Sequence, residues 1–275
     1  MRILVCGASG MLGHRVVDVA RERGHDATGT DLPELDLTDE DAVRRFVADR
    51  APEVIVNCAA YTNVDDAERN EELATRVNGA AAGNVARAGV PVVHVSTDYV
   101  FAGDATSPYL ESHAPDPRTA YGRSKLEGER QVQAAGPSHA VVRTAWLFGA
   151  GGPNFVDTML RLGTDRDEVK VVFDQVGSPT WTGHLAPALV EIAERRLTGV
   201  VHATGGGACS WFELAIEAMR LASLDCRVEA CTTEEFPRPA PRPAFSVLET
   251  ERDDAPRLPD WHEGVAGHLK ERVVA

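Results

Sequence analysis

The chain has little with which to grip a polyanion or to enter a lipid bilayer. Its formal net charge is −14, whereas general nucleic-acid binding relies on clustered Lys and Arg that neutralise phosphates; no nucleic-acid partner is expected. No segment approaches the length of a membrane span, and MRILVCGASG reaches its glycines after too short an apolar run for a secretory signal. The expectation is a cytoplasmic protein with no membrane partner. Cysteine is sparse and unpatterned: Cys6, Cys58, Cys209, Cys226 and Cys231 form an odd set without metal-ligand spacing. Two fall in predicted core strands, and the set reads as buried reduced thiols rather than disulfides or ligands. No internal repeat is present. Tyrosine and lysine are scarce too, four and three in 275 residues, so their meeting at helical spacing is not expected by accident. Tyr121 and Lys125, in AYGRSKLEGE, stand at i,i+4, which puts a phenol beside an ammonium. Such a neighbour favours phenolate over the ordinary pKa of ~10, so the tyrosine can serve as acid or base. Taken alone, the pair is equally a solvated helix contact worth a few tenths of a kcal/mol.

What is present is an ordinary globular composition, 43% hydrophobic and 25% charged, enough for one large domain or two smaller ones. Arg2 to Cys6 is a short apolar run that breaks into GASGMLG, and His14 to Arg23 then carries apolar residues at helical spacing. A second strand, Asp26 to Thr30, ends at Asp31 and completes a βαβ unit. Gly7 permits a tight turn, Gly10 lets main chain approach a pyrophosphate, and Gly13 lets the helix pack close to the sheet. A carboxylate at Asp31 accepts hydrogen bonds from ribose hydroxyls and repels a 2′-phosphate, which favours NADH over NADPH. Asp36 and Leu37 are placed on the adenine side, before Thr38 as the N-cap of a helix from Asp39 to Asp49.

The alternation continues through a strand Val54 to Asn57, the loop CAAYTNVDDAE, a helix around Leu73 to Ala88, a strand Val92 to Ser96, the AYGRSKLEGE helix and a strand Ala140 to Arg143. Strands alternating with helices imply an α/β fold with a parallel, doubly wound sheet. Ligands gather at the carboxyl ends of such strands, where GASGMLG, Asp31, CAAYT and STDYVF all fall.

These segments resemble the extended short-chain dehydrogenase/reductase family, through GASGMLG, CAAYT, Asn78 in RVNGAAAGN, Thr97 in STDYVFAG and YGRSK. Within it the chain is most similar to the dTDP-4-dehydrorhamnose reductases, in VNCAAYTNVDDAE, YGRSKLEGE, VRTAWLFG, NFVDTMLR, DQVGSPTW and RPAPRPAFSVLET, which together span almost the whole length. The resemblance implies that Tyr121 protonates the carbonyl oxygen of a 4-keto sugar on a dTDP carrier while NADH or NADPH delivers hydride. Lys125 would hold the nicotinamide ribose and lower the tyrosine's pKa, and Thr97 would hydrogen-bond the same carbonyl oxygen. Donors of this kind are worth roughly 2 to 4 kcal/mol in the transition state. Gly10, Met11, Leu12, Ala60, Tyr61, Thr62 and Val95 would line the cofactor, Asp98 and Trp146 would contact the sugar nucleotide, and Asn78 would support the proton path or simply pack.

The rest of the chain reads as a smaller substrate-binding region: residues 1–148 and 180–204 for the dinucleotide, 149–179 and 205–275 for the substrate. It holds an amphipathic segment Phe155 to Leu162, a strand Val169 to Phe173, and helices Leu185 to Arg195 and Trp211 to Leu221. PRPAPRPAF can be neither helix nor sheet interior; followed by an apolar strand, it reads as a substrate-facing loop in which Arg242 contacts a diphosphate. Glu249 to Asp254 reads as solvated surface. Tyr99 stands where related dehydratases carry a glutamate, which disfavours dehydration. A reductase for another deoxysugar nucleotide stays open, as does a non-catalytic subunit resembling the regulatory β-subunit of methionine adenosyltransferase. Some of these reductases pair subunits through magnesium held by glutamates; Arg15 stands at one such place, which argues against the metal while leaving a homodimer open.

Overall fold

The computed structural model describes residues 1–274. The first half runs β1 (Arg2–Cys6), α1 (Gly13–Glu22), β2 (Asp26–Thr30), α2 (Glu40–Arg50), β3 (Val54–Asn57), α3 (Val64–Ala67), α4 (Glu71–Thr75), α5 (Ala81–Ala86), β4 (Val92–Thr97), α6 (Ala120–Ala135) and β5 (Ala140–Thr144). The second runs β6 (Leu147–Phe148), α7 (Phe155–Asp165), β7 (Glu168–Val172), β8 (Val176–Gly177), β9 (Thr180–Trp181), α8 (Thr182–Glu194), β10 (Gly199–His202), β11 (Cys209–Ser210), α9 (Trp211–Leu221), β12 (Arg227–Cys231) and α10 (Trp261–Val274).

Six strands form one parallel sheet in the order β10-β5-β4-β3-β1-β2. Side chains alternate between its faces, as the pleat requires. Ile3, Val5, Val56, Val93 and Val142 pack on one side with Val16 of α1 and Leu185 and Leu189 of α8. Leu4, Cys6 and Ile55 pack on the other with Val43 and Val47 of α2 and Val85 of α5. With both faces covered, β1 and β3 are apolar over most of their length, whereas the edge strand β2 reads DATGT and is only partly buried; each buried aliphatic side chain contributes about 1.5–3 kcal/mol. The chain leaves β1 toward β2 and then crosses back to β3, so the winding reverses between β1 and β3. A crevice at the carboxyl ends of these strands is where such a sheet takes its ligand.

The remaining segments build a second, smaller core in which Phe148, Val156, Leu214, Trp261 and Val265 meet. Its strands pair two by two: β7 with β12 over five residues, and the two-residue strands β8 with β11 and β6 with β9. Among the described residues no helix is long and apolar enough to cross a membrane. All five cysteines are free, four of them buried and Cys58 half-buried.

Several local expectations are corrected. Asp39, not Thr38, caps α2, its carboxylate accepting from the N–H of Ala42 at 2.9 Å, while Thr38 turns back to Asp36. The helix expected from Leu73 begins at Glu71 and contains a π-turn at Arg76–Ala80. α8 starts at Thr182, three residues before the expected point. β12 had no sequence signal strong enough to place it. The apolar strand expected after the prolines makes only single-residue bridges, Phe245 to Asp104 and Val176 and Leu248 to Tyr109. The charged run after it is partly structural, since Arg252 donates to the carbonyls of Thr198 and Val200 at 2.7 and 2.9 Å and covers the free edge of β10.

Candidate active site

A cavity of about 800 Å³ opens at the switch point. Its floor is the turn after β1. Gly7 has φ +74°, a conformation open to glycine at little cost, and a Cβ there would lie 2.6 Å from the main-chain nitrogen of Ala59. A Cβ on Gly13 would lie 2.1 Å from the carbonyl oxygen of Gly7, so α1 begins in direct contact with the turn. A Cβ on Gly10 would meet only the Gly7 carbonyl, at 3.3 Å, so the space above Gly10 lies toward the cavity. Leu12 at the start of α1 gives no side-chain cap; the N–H of His14 donates to the Gly10 carbonyl at 3.2 Å, while those of Leu12 and Gly13 are left to meet an anion. Lys125 is the only basic side chain on the described wall, so a pyrophosphate there would rest on main-chain dipoles. These features fit a dinucleotide.

At the far end, Asp31 accepts from the N–H of Ser9 at 3.2 Å, from the Ser9 hydroxyl, and from the N–H of Leu32 at 2.9 Å. Asp36 and Leu37 line the same end. Asp36 is held below the usual carboxylate range by the Thr38 hydroxyl and N–H, and the Leu37 carbonyl accepts from the Asn84 side chain at 2.9 Å. Ala60, Thr62, Val95, Met11 and Leu12 also reach the cavity. Tyr61 does not line it: its hydroxyl donates to Asp66, and its main chain is clamped by Asn78, which accepts from its N–H at 2.7 Å and donates to its carbonyl at 3.0 Å. Asn78 also donates to Ser124 at 2.9 Å, tying the loop after β3 to α6.

Thr97, Tyr121 and Lys125 come together across the middle. Thr97 ends β4, and α6 starts beside it, capped by Thr119, whose hydroxyl accepts from the N–H of Gly122 at 2.9 Å. A Cβ on Gly122 would lie 2.2 Å from the carbonyl oxygen of Tyr99, so only glycine lets α6 come this near. The rings of Tyr99 and Tyr121 meet edge to face, 5.5 Å between centroids. Lys125 is 2% exposed and donates to the Val95 carbonyl at 2.7 Å; burial pushes its pKa down to about 8, against the pull of Glu129 and Cys58. Tyr121 departs from expectation. Its pKa is pushed up to about 12, burial outweighing the Thr97 hydroxyl, with the Asp98 charge adding to the rise. Lys125 is not among the groups that shift the phenol, and burial keeps the phenol protonated.

Asp98 and Trp146 line the cavity beyond Tyr121. Trp146 stacks on Trp211 with centroids 3.5 Å apart and planes 4° from parallel, and sits at φ +49°, a strained setting for a bulky residue. A Cβ on Gly177 would fall 2.4 Å from its ring. Arg242 lies outside this wall, paired with Asp65 at 2.8 Å and bonded to the Ala240 carbonyl at 3.0 Å.

The family described as the RmlD substrate binding domain matches residues 1–274. The chain belongs to this family. Its relatives include a dTDP-4-dehydrorhamnose reductase of Streptomyces griseus, 46% identical, aligned over 91% of this chain and 86% of that one. A Streptomyces antibioticus protein bearing the name "Probable dTDP-4,6-dihydroxy-2-methyloxan-3-one 4-ketoreductase" is 45% identical over 92% of this chain and 88% of that one. Among solved structures, the Bacillus anthracis dTDP-4-dehydrorhamnose reductase in complex with NADP superposes with a TM-score of 0.95, at 38% identity, over 98% of this chain and 99% of that one.

In this RmlD-family chain the cavity also takes in residues that sequence reasoning passed over. Cys58, Thr144, Trp211 and the segment Gly151–Pro153 line it. Gly151 and Gly152 pack on His14 and Met11, closing one side of the glycine turn. Only the four-tryptophan total hinted at Trp211, and nothing at the segment.

Proposed function

We propose that this RmlD-family protein is an NAD(P)H-dependent sugar-nucleotide 4-ketoreductase that reduces the C4 ketone of a dTDP-4-keto-6-deoxy sugar, dTDP-4-dehydrorhamnose to dTDP-rhamnose foremost. The observation that carries the reading is Thr97, Tyr121 and Lys125 assembled on one wall of a cavity whose floor is a glycine cradle. A reduced nicotinamide held there would supply the hydride for the carbonyl carbon. Tyr121, kept protonated by burial, gives its proton to the carbonyl oxygen as negative charge develops there. Thr97 stabilises the same oxygen, more in the transition state than in the ketone. Lys125 has two N–H donors left after Val95 for the nicotinamide ribose. Asn78 fixes the Tyr61 loop against α6 and so supports the wall.

On this reading residues 1–148 and 180–204 hold the cofactor, residues 149–179 and 205–275 the sugar nucleotide, with Asp98 and the Trp146–Trp211 stack facing it. Asp31 at the ribose end supports NADH over NADPH, although a relative holds NADP; Arg21, in the hollow beside Asp31, is bonded to the Ala27 carbonyl. Arg15, paired with Glu271 at 3.1 Å, argues against magnesium at that place; a homodimer without metal and a cytoplasmic setting accord with this reading. The name of the Streptomyces antibioticus relative supports a second substrate in the same reaction class, a related dTDP-keto sugar.

The test is to incubate the protein with NADH or NADPH and a panel of dTDP-4-keto-6-deoxy sugars and follow the reduced-nicotinamide absorbance. Turnover with dTDP-4-dehydrorhamnose at the highest kcat/KM supports the reading. Cofactor binding with no turnover on any sugar turns it toward a regulatory subunit.

A further inference from the structure

Between β6 and α7 the chain makes a short strap, Gly151–Pro153, in the part that builds the smaller core, yet it lines the cavity beside the glycine turn. Gly151 stands at φ +87°, and a Cβ there would fall 2.5 Å from the His14 ring. A Cβ on Gly152 would lie 3.0 Å from the Cβ of Met11. The strap thus rests on both sides of the start of α1, where main-chain N–H groups would meet a pyrophosphate.

One amide holds the strap in place. Asn154, 8% exposed, caps α7 through Oδ1, which accepts from the N–H of Asp157 at 2.9 Å. Its Nδ2 donates to the carbonyls of Gly149 at 2.9 Å and Gly152 at 3.2 Å and to the Asp157 carboxylate at 2.6 Å. Two amide protons serve three acceptors, so one bond is shared. Asp157 is gripped in turn from α10, by His268 at 2.9 Å and by Arg272. α10 is tied back to α1 by Glu271 and Arg15 at 3.1 Å, so that α1, α7 and α10 close a frame around the strap.

We propose that Asn154 is a positioning residue that fastens the Gly151–Pro153 strap against the glycine turn and so governs how long a dinucleotide stays bound. The proposal rests on the reading above, in which the cofactor's pyrophosphate lies at the start of α1.

Capping α7 needs only an acceptor, and Ser, Thr or Asp would supply one as Asn does. Asn alone among these also carries two donors on the same side chain, and here they reach both ends of the strap. Gly149, Gly151 and Gly152 leave that segment much freedom to lose on ordering. With the amide in place the loss is borne by folding rather than by cofactor binding. Without it the strap is free to swing away from Met11 and His14, and the side of the cavity that it closes opens to water. Changes of this kind within one site act mainly on the rate of release.

The experiment follows NADH by stopped-flow fluorescence in the full-length parent, Asn154→Ser and Gly152→Val. Serine keeps an N-cap oxygen for α7 but is too short to span both carbonyls. Gly152 is not at positive φ, so valine adds only a side chain wedged between the strap and Met11. Each variant should release NADH about tenfold faster, with the association rate within about twofold of the parent's. Adenosine, which carries no phosphate and reaches only the Asp31 end, serves as a competing probe, and its Kd should stay within about twofold in both variants. An NADH release rate within twofold of the parent's in either variant overturns the proposal and leaves the reductase reading intact. Equal losses of adenosine and NADH affinity do the same, because the variants would then act through the fold as a whole. A parent that binds no NADH overturns that reading and the proposal with it.

Discussion

At the proposed cofactor end of the cavity the wall is mostly main chain: a turn at φ +74°, an uncapped helix start, and glycines packed against carbonyls. At the proposed substrate end it is mostly side chains brought from far apart, Trp146 stacked on Trp211 and Asp98 near Tyr121 of α6. A main-chain wall tolerates no added atoms but does not depend on which distant residues arrive. A side-chain wall can be reshaped by single substitutions without disturbing the sheet. The difference suits an enzyme class in which one cofactor serves many sugars.

Tyr121, at the seam between the two ends, gives the largest expected effect. Tyr121→Phe should lower kcat by roughly 10³-fold while leaving the Kd for NADH within about twofold, read by single-turnover kinetics and calorimetry; equal losses in both would mean the seam belongs to the cofactor end. Gly13→Ala forces a Cβ against the Gly7 carbonyl and should weaken NADH binding by about 100-fold, with stability falling by about 1–3 kcal/mol. Normal NADH affinity in that variant would break the main-chain side of the comparison. Trp211→Ala should raise KM for the sugar nucleotide by about tenfold, as expected for a lost aromatic stack of about 1.5 kcal/mol, with the Kd for NADH unchanged. A change in NADH affinity of similar size would show that the two ends are not separable. The smallest effect is outside both: Asp39→Ala removes the α2 cap and should cost about 1 kcal/mol in denaturant unfolding with no change in kinetics.

The same division governs what could be read in the sequence. β1, β2 and β3 fall at the expected residues and β4 and β5 run one residue longer; β1 and β3 are apolar runs ended by polar or glycine-rich turns, and β2 is bracketed by the Gly24 turn and Asp31. The glycine turn, Asp31 and the Tyr121–Lys125 spacing are local and were legible for that reason. Spacing alone misjudged the Tyr121 pKa: it places the ammonium nearby but cannot show how far the phenol is buried. Trp211 lies 65 residues beyond Trp146 with nothing local to link them. Tyr61 fell in the right loop, but Asp66 and Asn78 draw it off the wall.

The π-turn at Arg76–Ala80 puts one residue more into that helix than a regular spiral would hold. Each residue of an α-helix advances the side chains by about 100°, so this single insertion separates the phase of the part that packs on the sheet from the part that carries Asn78 to Tyr61 and Ser124. Deleting one residue there would yield a smoother helix and swing the clasp out of reach. Among descendants of a common ancestor, loss of the clasp would thus be recorded as a one-position gap rather than as a substitution, and a chain could shed it while keeping every residue of Thr97, Tyr121 and Lys125.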